Sequence, residues 1–374
     1  MLTKTLIFAQ SALIAALAAS AAAQAPTTLK DAYKNDFPIG AAINAAQISG
    51  SDARGDAILK EQFNSISPEN ALKWERIHPQ PGKYDFTLAD QYVALGQEFH
   101  LFTVGHCLVW HNQVPGWVFR DDKGNLLGRE ALLARLREHI QTVVGRYKGK
   151  IQSWDVVNEA LNDDGTLRPS MWLKIIGPDY IEKAFAYAHE ADPAAQLTYN
   201  DYNIEFAAKQ AGAIALVKKL KAGGIPIAVV GIQAHLQPDS PTAEQEDAAI
   251  TAFAALGVKV AISELDINIL PLPGHGPTAD VTLKLAQDPA LNPYAKGLPE
   301  EAQQKIADRY QALFQVFAKH RADLQRVTFW GISDGDSWLN DWPIAGRTNY
   351  PLLFDRNGKT KPAFDTVIRA AAYN

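Results

Sequence analysis

From Phe37 onward the chain alternates short apolar, β-branched runs with longer stretches in which apolar residues return every three or four positions. The short runs read as buried strands and the longer stretches as amphipathic helices, so the repeating unit is a βα pair around a parallel sheet. Eight strands are predicted, at 38–44, 62–67, 101–110, 151–158, Gln196–Asp201, 227–235, Lys259–Ile267 and 326–333. Helical period is plainest in Leu132, Leu136, Ile140, Val143 and Tyr147, and in Ile306, Tyr310, Leu313 and Phe317. Eight strands, each followed by a helix, predict a single-domain (β/α)8 TIM barrel of the α/β class, since an open doubly wound sheet more often has about five or six. No repeat, low-complexity tract or Pro/Ser-rich linker divides it.

The pattern differs before Phe37. Lys4 precedes an Ala-rich apolar run from Leu6 to Ala19 that ends in small residues near Ala25, the layout of a secretory signal peptide over residues 1–25. Pro26 disfavours a cut directly after Ala25, so cleavage after Ala22 or Ala23 stays open. The expectation is an exported barrel over 26–374, secreted or periplasmic, with no later stretch near the roughly 20 apolar residues that span a bilayer. Loss of 1–25 removes Lys4 and no acid, so the formal charge of −5 becomes −6. That mild acidity offers no footprint for nucleic acid. Cys107 is the single cysteine, which excludes an intramolecular disulfide even in an oxidising compartment.

Catalytic groups of such barrels sit where the strands end at their carboxyl side, because the βα loops there form the open concave face. The second strand ends near Glu69-Asn70-Ala71-Leu72-Lys73-Trp74-Glu75, the third in Gly105-His106-Cys107-Leu108-Val109-Trp110-His111. The fourth ends in Trp154-Asp155-Val156-Val157-Asn158-Glu159, the sixth in Gly231-Ile232-Gln233-Ala234-His235, the seventh in Ser263-Glu264-Leu265-Asp266. The eighth ends in Phe329-Trp330-Gly331, with Trp338 close behind. A lone strand-end glutamate is as readily a solvated loop charge. Two of them, Glu159 and Glu264, with Lys73, His106, Asn158 and Gln233 at the same face, fit glycoside hydrolysis, which needs one protonated and one ionised carboxyl astride the scissile bond.

Trp330 and Trp338 admit two readings, as packed core or as faces for a sugar ring; Gly331, Asp334, Gly335 and Asp336 beside them favour the second, and Trp110 is less defined. His106 and His111 invite a metal site, but no third ligand is in view and there is no HExxH motif. No metal or other cofactor is expected.

These strand-end phrases resemble those of the glycoside hydrolase family 10 endo-1,4-β-xylanases, in the family's order, from about Ile39 to Phe364. The resemblance implies that Glu159 is the acid/base and Glu264 the nucleophile of a retaining double displacement. It implies that Lys73, His106, Asn158 and Gln233 hold the sugar at the cleavage point, with Asn158 on its 2-hydroxyl. Glu69 and Asn70 would bind the next sugar toward the non-reducing end, and Trp110, Trp330 and Trp338 would line these subsites. His235 and Asp266 would orient Glu264. Cys107 stands where the family often has a small polar residue, and is expected to serve packing.

The segment 270–299, rich in Pro and Gly, forms a long loop after the seventh strand; it either shapes the leaving-group side of the cleft or decorates its rim. The expected partner is the polysaccharide alone, xylan or xylo-oligosaccharides, acting on a monomer with no nucleic acid and no membrane. Rival readings are a cellulase- or mannanase-type retaining barrel, against which the Lys73 and Gln233 phrases argue, and a non-catalytic glycan-binding barrel, against which both carboxylates argue.

Overall fold

A computed structural model describes residues 28–272, 274 and 278–372; the expected signal segment 1–25 lies outside them, as do four positions of the 270–299 loop. Eight parallel strands form the sheet: β1 (Ile39–Ile43), β2 (Ser65–Pro68), β3 (Phe102–Val109), β4 (Ser153–Asn158), β5 (Gln196–Asp201), β6 (Val229–Ile232), β7 (Lys259–Ile267) and β8 (Leu324–Phe329). Each pairs with the next, and β1 pairs with β8, so the sheet closes. Closure removes both edges, and the helices between strands cover the outside. This is the predicted barrel.

The helices bury the faces their periodicity marks. Arg129–Arg146 buries Leu132, Leu136, Ile140 and Val143, and Glu300–Lys319 buries Ile306, Tyr310, Leu313 and Phe317. Start signals are local: Asn44 and Thr242 each open a helix with a reciprocal capping box. Among the described residues, no helix is long and apolar enough to cross a membrane.

Several strand limits differ from those expected, for identifiable reasons. β2 begins at Ser65, not at position 62, because Gln62 closes the helix Ala53–Gln62 and its Oε1 accepts from the Leu29 amide at 3.1 Å. β8 runs Leu324–Phe329 and ends well before 333, where Gly331 takes φ +137°. β6 is broken at Ala234, φ +58°, and pairing with β7 resumes at His235–Leu236. Gln233 and His235, on either side of that break, both line the cleft.

Two glycines are required by close approach. A Cβ on Gly105 would stand 2.1 Å from the fully buried Trp154, and one on Gly231 would stand 2.2 Å from Asn200 Oδ1. Cys107 is buried and unpaired, consistent with packing.

Candidate active site

One cavity at the carboxyl end of the barrel is lined by Glu69, Asn70, Lys73, His106, Trp110, Asn158, Glu159, Gln233, His235, Glu264, Trp330 and Trp338. Gln113, Ala279 and Val281 complete the wall. Of the site residues marked in the sequence only Asp266 lies off this surface; it is fully buried beneath His235. Residues from six strand ends and the loop after β7 thus meet, as the barrel geometry requires.

Glu159 closes β4 with φ +56°, a left-handed backbone that a side chain adopts only when its surroundings impose it. Gln113 (+46°), Asn203 (+59°) and Ala234 (+58°) share that region and also follow strand ends at this face. Glu159 Oε1 accepts from Gln233 Nε2 and Asn158 Nδ2, both at 3.1 Å, and Oε2 accepts from Trp110 Nε1 at 2.8 Å. Trp110 is therefore tied to the carboxyl group by its ring N–H, while its face carries Lys73 Nζ at 4.9 Å.

Glu264, inside β7, accepts from Asn200 Nδ2 at 2.7 Å and faces His235 Nε2 at 3.2 Å. His235 Nδ1 lies 3.0 Å from Asp266 Oδ1, and Trp338 Nε1 donates to Asp266 Oδ2 at 2.8 Å. Trp338 also stacks on Trp342, with centroids 4.6 Å apart. The expected His235–Asp266 pair is thus present, and it extends to Trp338.

Burial pushes the Glu159 carboxyl above its ordinary range, against the Gln233 and Trp110 donors and with the Glu264 charge. Burial pushes Glu264 up too, but His235, His106 and Asn200 outweigh it and hold the group below its ordinary value. For His235, burial disfavours the cation, yet Asp266 and Glu264 raise it to about 10, so both ring nitrogens donate at neutral pH. One carboxyl is favoured protonated and the other ionised, the division that acid/base and nucleophile require.

His106 Nδ1 pairs with Asp155 at 2.9 Å and its ring meets Trp330 edge-on. Lys73 Nζ donates to Asn70 and Gln113, at 3.1 and 2.9 Å. Among its hydrogen bonds none goes to Glu264. Glu69 is pushed up by burial, against the Lys73 charge. His111 lies off the cavity, its Nε2 beside Asn112 at 2.9 Å, and among the described residues no group of three or more His, Cys, Asp or Glu is arranged for a metal ion.

The 270–299 loop forms cleft wall through Ala279 and Val281. It is fastened to the loop after β8: Trp342 Nε1 donates to the Asp280 carbonyl at 3.0 Å, and Tyr350 Oη to the Tyr294 carbonyl at 2.9 Å.

Sequence reading passed over Asn200, which donates to Asn158 and Glu264 and accepts from Ser263 Oγ at 2.6 Å. A polar Asn-Asp ending β5 was the available signal. Gln113 and Arg168 were also missed.

The model of glycosyl hydrolase family 10 matches residues 28–370. Endo-1,4-beta-xylanase A of Xylanibacter ruminicola is 45% identical over 350 residues, covering 94% of this chain and 95% of that protein. A GH10 endoxylanase retrieved from a sugarcane soil metagenome superposes with a TM-score of 0.87 at 44% identity, covering 92% of this chain and all of the other. The intracellular xylanase of Thermoanaerobacterium saccharolyticum, as a glutamate-to-alanine mutant with xylotetraose, gives 0.80 at 38% identity, covering 91% and 97%. With the family's model spanning nearly all of the described residues, and relatives of this identity over nearly their whole lengths, the chain belongs to glycosyl hydrolase family 10.

Proposed function

We propose that the protein is an endo-1,4-β-xylanase that cuts internal bonds of xylan with net retention, with Glu159 as acid/base and Glu264 as nucleophile. The observation that carries this reading is the opposite electrostatic treatment of two buried carboxyl groups lining one cleft. Glu264 attacks the anomeric carbon while Glu159 gives its proton to the leaving oxygen. Ester formation then removes the Glu264 charge that helps keep Glu159 protonated, so Glu159 becomes the base for water. His235, cationic, steadies the carboxylate before attack.

Asn158 serves the sugar 2-hydroxyl with the Nδ2 that otherwise donates to Glu159. Lys73, His106 and Gln233 hold the same sugar, and Glu69 and Asn70 the next. Trp330 and Trp338 provide the walls. Trp110 acts on the sugar chiefly through the Glu159 carboxyl it binds. Xylan and xylo-oligosaccharides as substrates follow from the relatives' activities and from the complex of one of them with xylotetraose.

Reducing-end release on xylan against cellulose tests the substrate: rapid release from xylan alone is expected, and equal rates overturn the assignment. Proton NMR of the first product reads the stereochemistry; an initial β-anomer is expected, and an α-anomer sinks the double displacement.

Residues 1–25 are proposed as an export signal and 26–374 as the mature, monomeric barrel. N-terminal sequencing of protein from periplasm and medium tests this, and an intact Met1 terminus confined to the cytoplasm overturns it.

A further inference from the structure

Arg168 lies in the loop after β4, and three strand-end loops converge on its guanidinium. Its Nε donates to the main-chain carbonyl of Glu159 at 3.0 Å. One terminal nitrogen donates to the Leu161 carbonyl at 3.2 Å and to Tyr202 Oη, in the loop after β5, at 2.8 Å. The other stands 3.9 Å from Asp280 Oδ2, in the loop after β7. The side chain is 14% exposed, so these contacts are shielded from competing water.

Glu159 is the residue that needs such a hold. Its amide donates to the Asn200 carbonyl at 2.9 Å, so its two peptide groups are fixed from opposite sides, one by β5 and one by Arg168. With φ at +56°, the direction of its Cα–Cβ bond depends on that pair of anchors, since the left-handed region is not one a glutamate keeps unaided. Freed at the carbonyl, the backbone can relax and swing the carboxyl group away from the leaving oxygen.

We propose that Arg168 is a positioning residue for Glu159: by tying the Glu159 carbonyl to the Leu161 carbonyl and the Tyr202 hydroxyl, with Asp280 facing its other terminal nitrogen, it keeps the carboxyl group aimed. This rests on reading Glu159 as the acid/base. Arg168 need not touch substrate for this role. Lysine cannot replace it, because a single ammonium does not send N–H bonds along three fixed directions.

The test is a leaving-group series. In the intact protein, Arg168→Met and Arg168→Lys are compared with the parent on aryl xylobiosides from dinitrophenyl to phenyl and on xylan, with active sites counted by a 2-fluoro-xylobioside inactivator. A carboxyl group displaced by about 1 Å costs roughly 100-fold where its proton is needed. For Arg168→Met, kcat/KM is expected to change little on the dinitrophenyl substrate and to fall roughly 10- to 100-fold on the phenyl substrate and xylan, with Arg168→Lys between. The alkaline limb of the pH profile should move up as well, because the Arg168 charge helps pull the Glu159 proton off. A merely structural role lowers every substrate by one factor per counted site, and equal losses with an unmoved limb overturn the proposal. Glu159→Ala is run beside it. A steep series there with a flat one for Arg168→Met rejects the clamp alone, whereas a flat series for Glu159→Ala rejects the acid/base reading itself.

Discussion

Asn200 Nδ2 donates to Glu264 Oε1 at 2.7 Å. The same nitrogen donates to Asn158 Oδ1 at 2.9 Å, and Asn158 Nδ2 donates to Glu159 Oε1, so a bridge of two amides joins the carboxyl groups across the cleft. A neutral donor on a buried carboxylate favours its ionised form. Asn200 is therefore part of what keeps Glu264 charged.

Asn200→Ala should move the acid limb of the pH profile of kcat/KM upward, because Glu264 loses a donor that stabilises its anion. The working form is then lost at a higher pH as the solution is acidified. Loss of a hydrogen bond to a charged group is worth about 1.5–3 kcal/mol, so a shift of about one unit or more is expected. Gly231→Ala, whose Cβ would press on Asn200 Oδ1, should shift the limb in the same direction. An acid limb that stays in place for both variants rejects this role.

Trp338 combines a half-buried ring at the cavity wall with an N–H held by Asp266. If the ring leaves no room for the hydroxymethyl group that glucose has and xylose lacks, Trp338→Ala should narrow the gap between aryl xylobioside and aryl cellobioside. A misfit of this size is worth about 1–3 kcal/mol, or roughly 10- to 200-fold. Trp338→Phe separates the two functions: it keeps most of the bulk and removes the Asp266 bond. An unchanged ratio in Trp338→Ala takes the ring out of substrate selection.

Much of this site was legible because barrel strands are buried on both faces, so polar residues that interrupt an apolar run at its end stand out. Glu159, Glu264, Gln233 and His235 are of that kind. Asn200 was not: its strand, Gln196–Asp201, was read correctly, but an Asn-Asp end with no carboxylate or indole partner in view did not stand out, and its place depends on a neighbour, Gly231, lacking a side chain. Arg168 was hidden by distance along the chain, its meaning being set by three loops that meet only in space. The limits of β2 and β8 were misplaced for a simpler reason: residues such as Gln62 and Ile332 suit a strand by composition but are held by helix and loop contacts that no local pattern reveals.

A second carboxyl pair lies outside the cleft. Glu205, after β5, and Glu246, in the helix Ala243–Ala254, are buried beside one another, and both Glu246 oxygens lack a hydrogen-bond partner among the described residues, which favours one of the pair keeping its proton. Burial pushes Glu205 to about 7, against Lys209 and His235, and pushes Glu246 well above its ordinary value, against Arg309. Both bind protons more tightly folded than unfolded. Their contribution to stability is therefore complete below the ordinary carboxyl range and is lost as pH rises through the raised values. Glu246→Gln, which supplies an N–H at every pH, should raise the melting temperature at pH 8–9, by the equivalent of about 1–3 kcal/mol, and do little at pH 5. A gain of the same size at both pH values shows that the pair does not share a proton.

The two cleft glutamates should fail differently. With Glu264→Ala no glycosyl-enzyme ester can form, so every substrate should suffer whatever its leaving group. With Glu159→Ala the first step loses only proton assistance, which dinitrophenolate does not need. Such a substrate should still glycosylate Glu264 quickly, and the intermediate should then accumulate, because water has lost its base. Xylan, whose sugar leaving group needs the proton, should slow on the order of 10²–10⁴-fold. The Glu159 side chain receives three hydrogen bonds, from Trp110, Gln233 and Asn158, so its removal leaves three donors facing the place where water or a small anion enters. Azide suits that place, since it carries the charge the carboxylate took away and needs no base. Added azide should restore turnover of the activated substrate and yield a β-configured glycosyl azide, read by proton NMR. If Glu159→Ala slows both substrates equally and azide changes nothing, Glu159 is not the acid/base, and the raised carboxyl in the cleft has some other task.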